Sequence, residues 1–262
     1  MLCCGRTDIG KKRRVNQDSF ICDTFDNGML LAVVCDGMGG AAGGGLASGL
    51  ACGNFVDKVS DFAESFPRRE KLTRSEERMI KAALSDAACY ANSLVYERAK
   101  TDEALQGMGT TLVATLVFCN TLFTVNIGDS RMYLIHYGDI QQITHDHSFV
   151  QYLVDNGKLT PEEAAVSINK NIITKAIGTD KDIEPDVFVT RLAKRSPLRE
   201  YTALLCSDGL SNHLSSKEIA DCVKDAVSVK TDRGLGAICE ELIDRANAAG
   251  GRDNITAVVI TV

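Results

Sequence analysis

The sequence predicts an α+β fold, an antiparallel β-sandwich with helices on its outer faces. Three observations carry this. First, residues 109–137 hold short apolar runs at 111–118, 122–127 and 132–137, separated by turns at Cys119-Asn120 and Gly128-Asp129-Ser130-Arg131. Consecutive strands joined by tight turns pair antiparallel, because a parallel pair needs a long crossover. Second, amphipathic helical patterns come as a pair in each half of the chain, at 46–66 and 73–98, then after Ser215 and over 231–249. Third, the last apolar run, 254–262, alternates only weakly, as a strand buried on both faces does. Such a strand needs cover on two sides, which a second sheet and outer helices provide.

In chain order, vicinal Cys3 and Cys4 are read as a frayed N-terminus, with oxidation or lipidation as the alternative. Residues 8–18 run Asp8-Ile9-Gly10-Lys11-Lys12-Arg13-Arg14-Val15-Asn16-Gln17-Asp18, and a strand follows over 19–23. Asp26-Asn27-Gly28 is a hairpin signal leading into the apolar run 29–35. That run stops at Asp36, and glycines follow at 37, 39, 40, 43, 44 and 45. The pattern predicts a buried strand with a carboxylate at its end, a loop where backbone approaches a ligand closely, then a helix. Leu46, Leu50, Phe55, Val59, Phe62 and Phe66 recur at helical spacing before Pro67. Thr73-x-x-Glu76 is a capping box opening a helix with the stripe Ile80, Ala83, Ala87, Ala91, Leu94 and Arg98.

Beyond the strand-rich section, Thr144-His145-Asp146-His147-Ser148 leads to a short helix that ends at Asn156-Gly157. Thr160-Pro161-x-Glu163 is a second capping box, with proline at the first helical position. The stretch 145–180 is thus predicted as a small mobile helical insertion between strands. Strands return at 185–191 and 201–207, and Ser215-x-x-Glu218 caps the next helix. With no repeat, low-complexity tract or long linker, one domain spanning 1–262 is expected.

Composition bounds the function. Of 262 residues, 45% are hydrophobic and 24% charged, the balance of a soluble globular chain. The net charge of −6 disfavours a non-specific nucleic-acid binder. No apolar run approaches the roughly 20 residues of a membrane helix, and 1–20 lacks the apolar centre of a signal peptide. The ten cysteines form no C-x-x-C pair and lie mostly in apolar runs, so reduced thiols and a cytoplasmic setting are expected.

The chemistry-bearing residues are acids beside glycines or tight turns. Asp36-Gly37, Asp208-Gly209 and Gly251-Arg252-Asp253-Asn254 each abut an apolar strand, and Asp129 sits on a turn. One Asp-Gly is an ordinary turn. Several at strand ends, far apart in sequence, can converge into a carboxylate cluster for hard divalent ions. The densest basic run of the chain, residues 11–14, sits in the same repertoire, and Arg13 suits an anion held beside metals. Gly37-x-Gly39-x-x-Ala42, with Asp57 twenty residues on, mimics a dinucleotide fingerprint. Asp36 beside a pyrophosphate and the antiparallel strands after 109 both argue against it. His145 and His147 flank Asp146 in a metal-like spacing, but a surface position is expected for them, and His136 and His213 are isolated.

Assembled, these residues resemble the metal-dependent protein Ser/Thr phosphatases of the protein phosphatase 2C (PP2C, PPM) family, bacterial branch, over nearly the whole chain. The motifs run in family order: Arg13-x-x-Asn16-Gln17-Asp18, Asp36-Gly37-Met38-Gly39-Gly40, Gly109-Thr110-Thr111, Gly128-Asp129-Ser130-Arg131, Asp146-His147-Ser148, Ser207-Asp208-Gly209-Leu210 and Gly251-x-Asp253-Asn254. The resemblance implies a PP2C-like αββα sandwich, with 145–180 as a flap near the substrate entrance. It implies hydrolysis of phosphoserine and phosphothreonine in proteins by a metal-activated water, without a phosphoenzyme. Asp36 would bridge two Mn²⁺ or Mg²⁺ ions, the carbonyl of Gly37 completing one and Asp208 and Asp253 the other. Asp129, with Asp208, would hold a third. Arg13 would bind substrate phosphate, and Asp18 would orient the water. Partners would be phosphorylated proteins, among them a cognate Ser/Thr kinase and its substrates, met by a monomer, with no nucleic acid or membrane involved.

The chain departs from the family pattern at several positions. Met38 stands where animal members carry a histidine proposed as general acid, so the leaving group's proton must come from elsewhere. Gln17 replaces a frequent glutamate and adds no charge. Ala41 and Gly45 stand at positions where bacterial members often carry His and Glu, which predicts a freer glycine loop. The competing readings are a catalytically dead homologue that binds phosphoproteins as a regulator, and a nicotinamide-binding oxidoreductase. Retention of Asp36, Asp208 and Asp253 speaks against the first.

Overall fold

The structure is a computed structural model, and it describes residues 1–193 and 201–262. Its strands are β1 (Leu2–Asp8), β2 (Asp18–Thr24), β3 (Leu30–Met38), β4 (Gly109–Thr110), β5 (Leu112–Phe118), β6 (Thr121–Ile127), β7 (Arg131–His136), β8 (Asp139–Gln142), β9 (Asp186–Arg191), β10 (Tyr201–Cys206) and β11 (Ile255–Thr261). The helices are α1 (Gly40–Ser65), α2 (Arg74–Thr101), α3 (Phe149–Asp155), α4 (Pro161–Val166), α5 (Asp208–Ser211), α6 (Ser216–Val223) and α7 (Asp232–Ala248). One sheet has the order β1-β11-β10-β7-β8 and the other β2-β3-β5-β6-β9, with β4 on the end of β3. Every pairing among these strands is antiparallel.

Alternation along β3 shows how the layers form. Leu31, Val33 and Cys35 face the core under α1 and α2, while Leu30, Ala32 and Val34 face the other sheet. In β11, Ile255, Ala257 and Val259 face α6 and α7, while Val258 and Ile260 meet the sheet that contains β3. Strands covered on both faces must be apolar at every position, which is why these runs alternate so weakly in sequence. Thr73, Thr160 and Ser215 each close a reciprocal capping box, with Glu76, Glu163 and Glu218.

Several expectations are corrected. The N-terminus is not frayed: β1 pairs with β11 from Leu2 to Asp8, and Cys3 and Cys4 are part-buried in it. The strand carrying Asp36 runs on through Gly37 and Met38, because those two pair with β4. The glycine-rich stretch is not a loop, since α1 begins at Gly40 and holds Gly43, Gly44 and Gly45 within it. A Cβ at Gly44 would meet the Gly37 carbonyl at 2.8 Å, and one at Gly43 would meet Met108 Cβ at 2.9 Å. These glycines therefore let helix and strand pack backbone to backbone. The buried stripe of α2 also turns from the predicted one, with Leu84, Ala88, Asn92 and Val95 inside and Arg98 exposed.

The insertion leaves from β8 and returns to β9. Its ends are tied by Thr174 N to His147 O (2.8 Å), Phe149 N to Ile172 O (2.8 Å) and a Thr110–Ile177 bridge. Buried Asn92 of α2 anchors the return: its Nδ2 donates to the carbonyls of Asp180 (3.0 Å) and Lys181 (3.1 Å), and its Oδ1 accepts from Gly178 N (2.7 Å). Truncation would leave the buried Gly178 amide unpaired, at about 1–3 kcal/mol, and would release the more exposed Asp180 and Lys181 carbonyls at a smaller cost. Asn92→Ala should therefore lower the unfolding free energy by about 2 kcal/mol or more, and speed hydrogen exchange at 177–181 ahead of the sheets. Unchanged exchange there would sink this assignment.

Candidate metal centre

Antiparallel registry places Asp18 of β2 directly opposite Asp36 of β3. At the same end of the sandwich, Asp208 follows β10 and Asp253 precedes β11, and those strands are neighbours. The turn from β6 to β7 brings Asp129 alongside. Arg13, Asp36, Gly37, Asp129, Asp208 and Asp253 all line one cavity of about 410 Å³, with Asn171 and Ile173 of the insertion on its wall. Asp18 lies buried beside them.

Backbone contacts bring these segments together more closely than any side chain would permit. A Cβ at Gly209 would sit 1.9 Å from the Asn254 carbonyl, and one at Gly10 would sit 2.1 Å from that of Asp253. Gly10 also has φ +75°, so glycine is required there twice over. Asn254 organises the basic segment, its Nδ2 donating to the Ile9 and Val15 carbonyls (both 3.0 Å) and its Oδ1 accepting from Gln17 N (2.9 Å). Thr111 Oγ1 accepts from Asp36 N, and Thr110 Oγ1 donates to Asp36 O, both at 2.9 Å.

The electrostatics are those of carboxylates crowded together with little opposing charge. Burial, then Asp18, Asp208, Asp129 and Asp253, push Asp36 well above the ordinary carboxylate range. Asp129 is raised to about 8, by burial first and then by Asp208 and Asp146. Asp18 is raised to about 6 by burial, although Thr256 Oγ1 (2.6 Å) and Ser207 Oγ (2.8 Å) both donate to its Oδ2. Burial and Asp253 raise Asp208, partly offset by its contact with Asp36 and by Arg13. Arg13 Nη2 donates to Asp253 Oδ2 at 2.7 Å, and that bond raises the guanidinium's own pKa.

As they stand, no three His, Cys, Asp or Glu side chains among the described residues are grouped to hold an ion. Several of the oxygens have other partners: Asp253 Oδ2 takes Arg13 and its Oδ1 the Asn254 amide (2.9 Å), Asp208 Oδ2 takes Asn212 Nδ2 at 3.0 Å, and Asp18 Oδ2 takes the two hydroxyls. The donor set nonetheless suits hard cations. It is all oxygen, its members repel one another, and Asp18 Oδ1 is buried without a hydrogen-bond partner. A divalent ion answers the first two of these features, and a water molecule beside it the third.

Two histidines depart from expectation. His147 is not at the surface: its side chain is 11% exposed, its Nδ1 accepts from Gly128 N (3.0 Å), and its Nε2 faces Asp186 at 3.3 Å. Burial first, then Lys175, lowers its pKa, so the ring is held neutral. His145 stays exposed and pairs with Asp155. Asp146 goes instead to Arg131, whose Nε and Nη2 grip it at 2.7–3.1 Å.

With this geometry in place, comparison with known proteins is direct. A model of the protein phosphatase 2C family matches residues 4–244. The chain belongs to that family. The protein phosphatase PhpP of Streptococcus pneumoniae is 36% identical over 261 residues, 98% of this chain and 95% of PhpP. The S. agalactiae serine/threonine phosphatase has a TM-score of 0.82 at 35% identity, covering 100% of this chain and 99% of that one. The catalytic domain of serine/threonine protein phosphatase PstP, solved with two manganese ions, has a TM-score of 0.77 at 33% identity, covering 98% and 96%. The fold predicted from sequence is that of this family. No helix among the described residues is long and apolar enough to cross a membrane.

The raised carboxylates set the pH response of the metal-free fold. A folded pKa above the unfolded value means that the folded state keeps protons the unfolded chain releases. The stability tied to Asp18 and Asp129 is full below the unfolded value near 3.8 and is lost as pH rises through about 6 and about 8. Urea midpoints in EDTA should fall between about pH 5.5 and pH 8.5, and Asp36→Asn should raise the midpoint at the upper end. A wild-type midpoint that climbs across this window would contradict the repulsion described.

Proposed function

We propose that this protein hydrolyses phosphoserine and phosphothreonine in proteins, using the acidic cavity as its centre. The observation that supports this most is the convergence of Arg13, Asp36, Asp129, Asp208 and Asp253 on one cavity in a chain of this family. Asp36 would bridge two ions, with the Gly37 carbonyl completing one and Asp208 and Asp253 the other; Asp129, with Asp208, would hold a third. Oxygen donors favour Mn²⁺ or Mg²⁺. When bound, such ions neutralise phosphate charge and bring the pKa of water towards about 7.

The chain's own groups do the rest. Asp18 is fixed through Oδ2 by Ser207 and Thr256, which leaves Oδ1 to orient the attacking water. Arg13 would leave Asp253 for the substrate, its planar fork pairing with two phosphate oxygens. Attack by water is direct, without a phosphoenzyme. Met38 has no proton to give, so the proton for the leaving oxygen comes from another source. The domain is read as a single unit, residues 1–262, with the 145–180 insertion as a flap over the entrance. Its targets would be phosphorylated proteins, including a cognate Ser/Thr kinase and its substrates, met by a monomer in the cytoplasm.

Phosphate release from a phosphothreonine peptide tests this. Turnover should appear with Mn²⁺ or Mg²⁺, vanish in EDTA, and fall by about 100-fold or more in Asp208→Asn at equal Mn²⁺. Folded protein that is inactive with either metal would favour the phosphoprotein-binding alternative. In Arg13→Ala, KM should rise more than kcat falls if the guanidinium holds ground-state phosphate.

A further inference from the structure

His213 lies outside the motifs, yet both of its ring nitrogens are engaged. Nδ1 is 2.8 Å from the carbonyl of Gly209, and Nε2 is 3.3 Å from the amide of Arg252. A carbonyl only accepts and an amide N–H only donates, so the ring is the Nδ1–H tautomer, giving at one end and accepting at the other. Gly209 is the residue after Asp208, and Arg252 is the residue before Asp253. One side chain thus spans the two segments that carry this pair of carboxylates.

The segment before Asp253 needs such a tether. Gly250 and Gly251 stand in sequence there, with φ +141° and +54°. Each is free to leave that conformation at little steric cost. The Gly250 and Gly251 amides donate back to the Asn247 and Ala246 carbonyls at the end of α7 (both 3.1 Å), and Lys11 N donates to the Gly251 carbonyl at 2.7 Å. His213 holds the next residue, Arg252. The short α5 helix, which Asp208 opens, is likewise fixed to the ring through Gly209.

We propose that His213 is a positioning residue that sets the spacing of Asp208 and Asp253, and through it the affinity of the ion those two share. This rests on the metal assignment of the preceding section. Outer groups that orient ligands act on metal affinity, whereas a merely structural group acts on folding alone.

The test is calorimetric titration of wild type, His213→Ala and His213→Gln with Mn²⁺, alongside kcat as a function of Mn²⁺. Glutamine can reach the Arg252 amide but cannot also hold Gly209. In His213→Ala one class of Mn²⁺ sites should weaken by about 10-fold while the other holds, and kcat should recover at saturating Mn²⁺. His213→Gln should fall between the two. The proposal is overturned if both classes keep wild-type affinity. It is also overturned if kcat stays depressed at saturating Mn²⁺, or if both classes weaken together with thermal stability. Failure of wild type itself to bind Mn²⁺ or turn over would instead remove the phosphatase reading on which it rests. Should the alanine variant not fold, the glutamine variant decides alone by the same criteria.

Discussion

The fold is organised around the mutual repulsion of carboxylates it has itself brought together. Asp18, Asp36, Asp129, Asp208 and Asp253 come from separate parts of the chain, and burial compounds the repulsion by removing solvent. Only scaffolding stable without them can hold such an arrangement. Here it is the sandwich, whose apolar layers lie between the sheets and beneath each helix pair. The acids crowd its rim, where the strands turn.

What holds the acids is mostly neutral. Asp18 is gripped by two hydroxyls, the Asp36 backbone by two threonines, and the basic segment by the amide of Asn254. Arg13 on Asp253 is the only ion pair among the described residues to reach one of these five acids. Neutral donors fix geometry while leaving the negative field in place. A cation on each carboxylate would have stabilised the fold and cancelled the attraction for a divalent ion. Arg131 shows the contrast, since it grips Asp146, one position from His147 and away from the cavity lining.

Much of this was legible, and the failures have physical reasons. Acids beside glycines at strand boundaries were visible because both residue types are out of place in apolar runs. The antiparallel order followed from turn lengths. The glycines after Asp36 were misread as a loop because backbone permissiveness and close packing leave the same mark in sequence. Only the distance between Gly44 and the Gly37 carbonyl separates the two meanings. The first strand was missed because its residues are half-buried at a sheet edge, where the hydrophobic pattern is weakest. Strand β8, at the opposite edge, was missed for the same reason. His147 and His213 were illegible in principle, since a histidine's role is set by what faces its two nitrogens.

The start of α1 shows how the cluster's field reaches beyond its own residues. Helices α2, α4 and α6 each begin with a reciprocal capping box and carry an acid in the first turn. Helix α1 has no side-chain cap and no acid there, and its N-cap is Gly39 in the left-handed region. Free N–H groups at a helix start carry roughly half a positive charge, and at α2, α4, α6 and α7 the chain answers it with a carboxylate. At α1 none is needed, because Gly39 and Gly40 open onto the cavity that holds Asp36, Asp129, Asp208 and Asp253. The glycine-rich start of α1 therefore serves two ends. It lets backbone meet backbone beneath the site, and it turns the positive end of a 26-residue helix towards the negative charge that the site must keep.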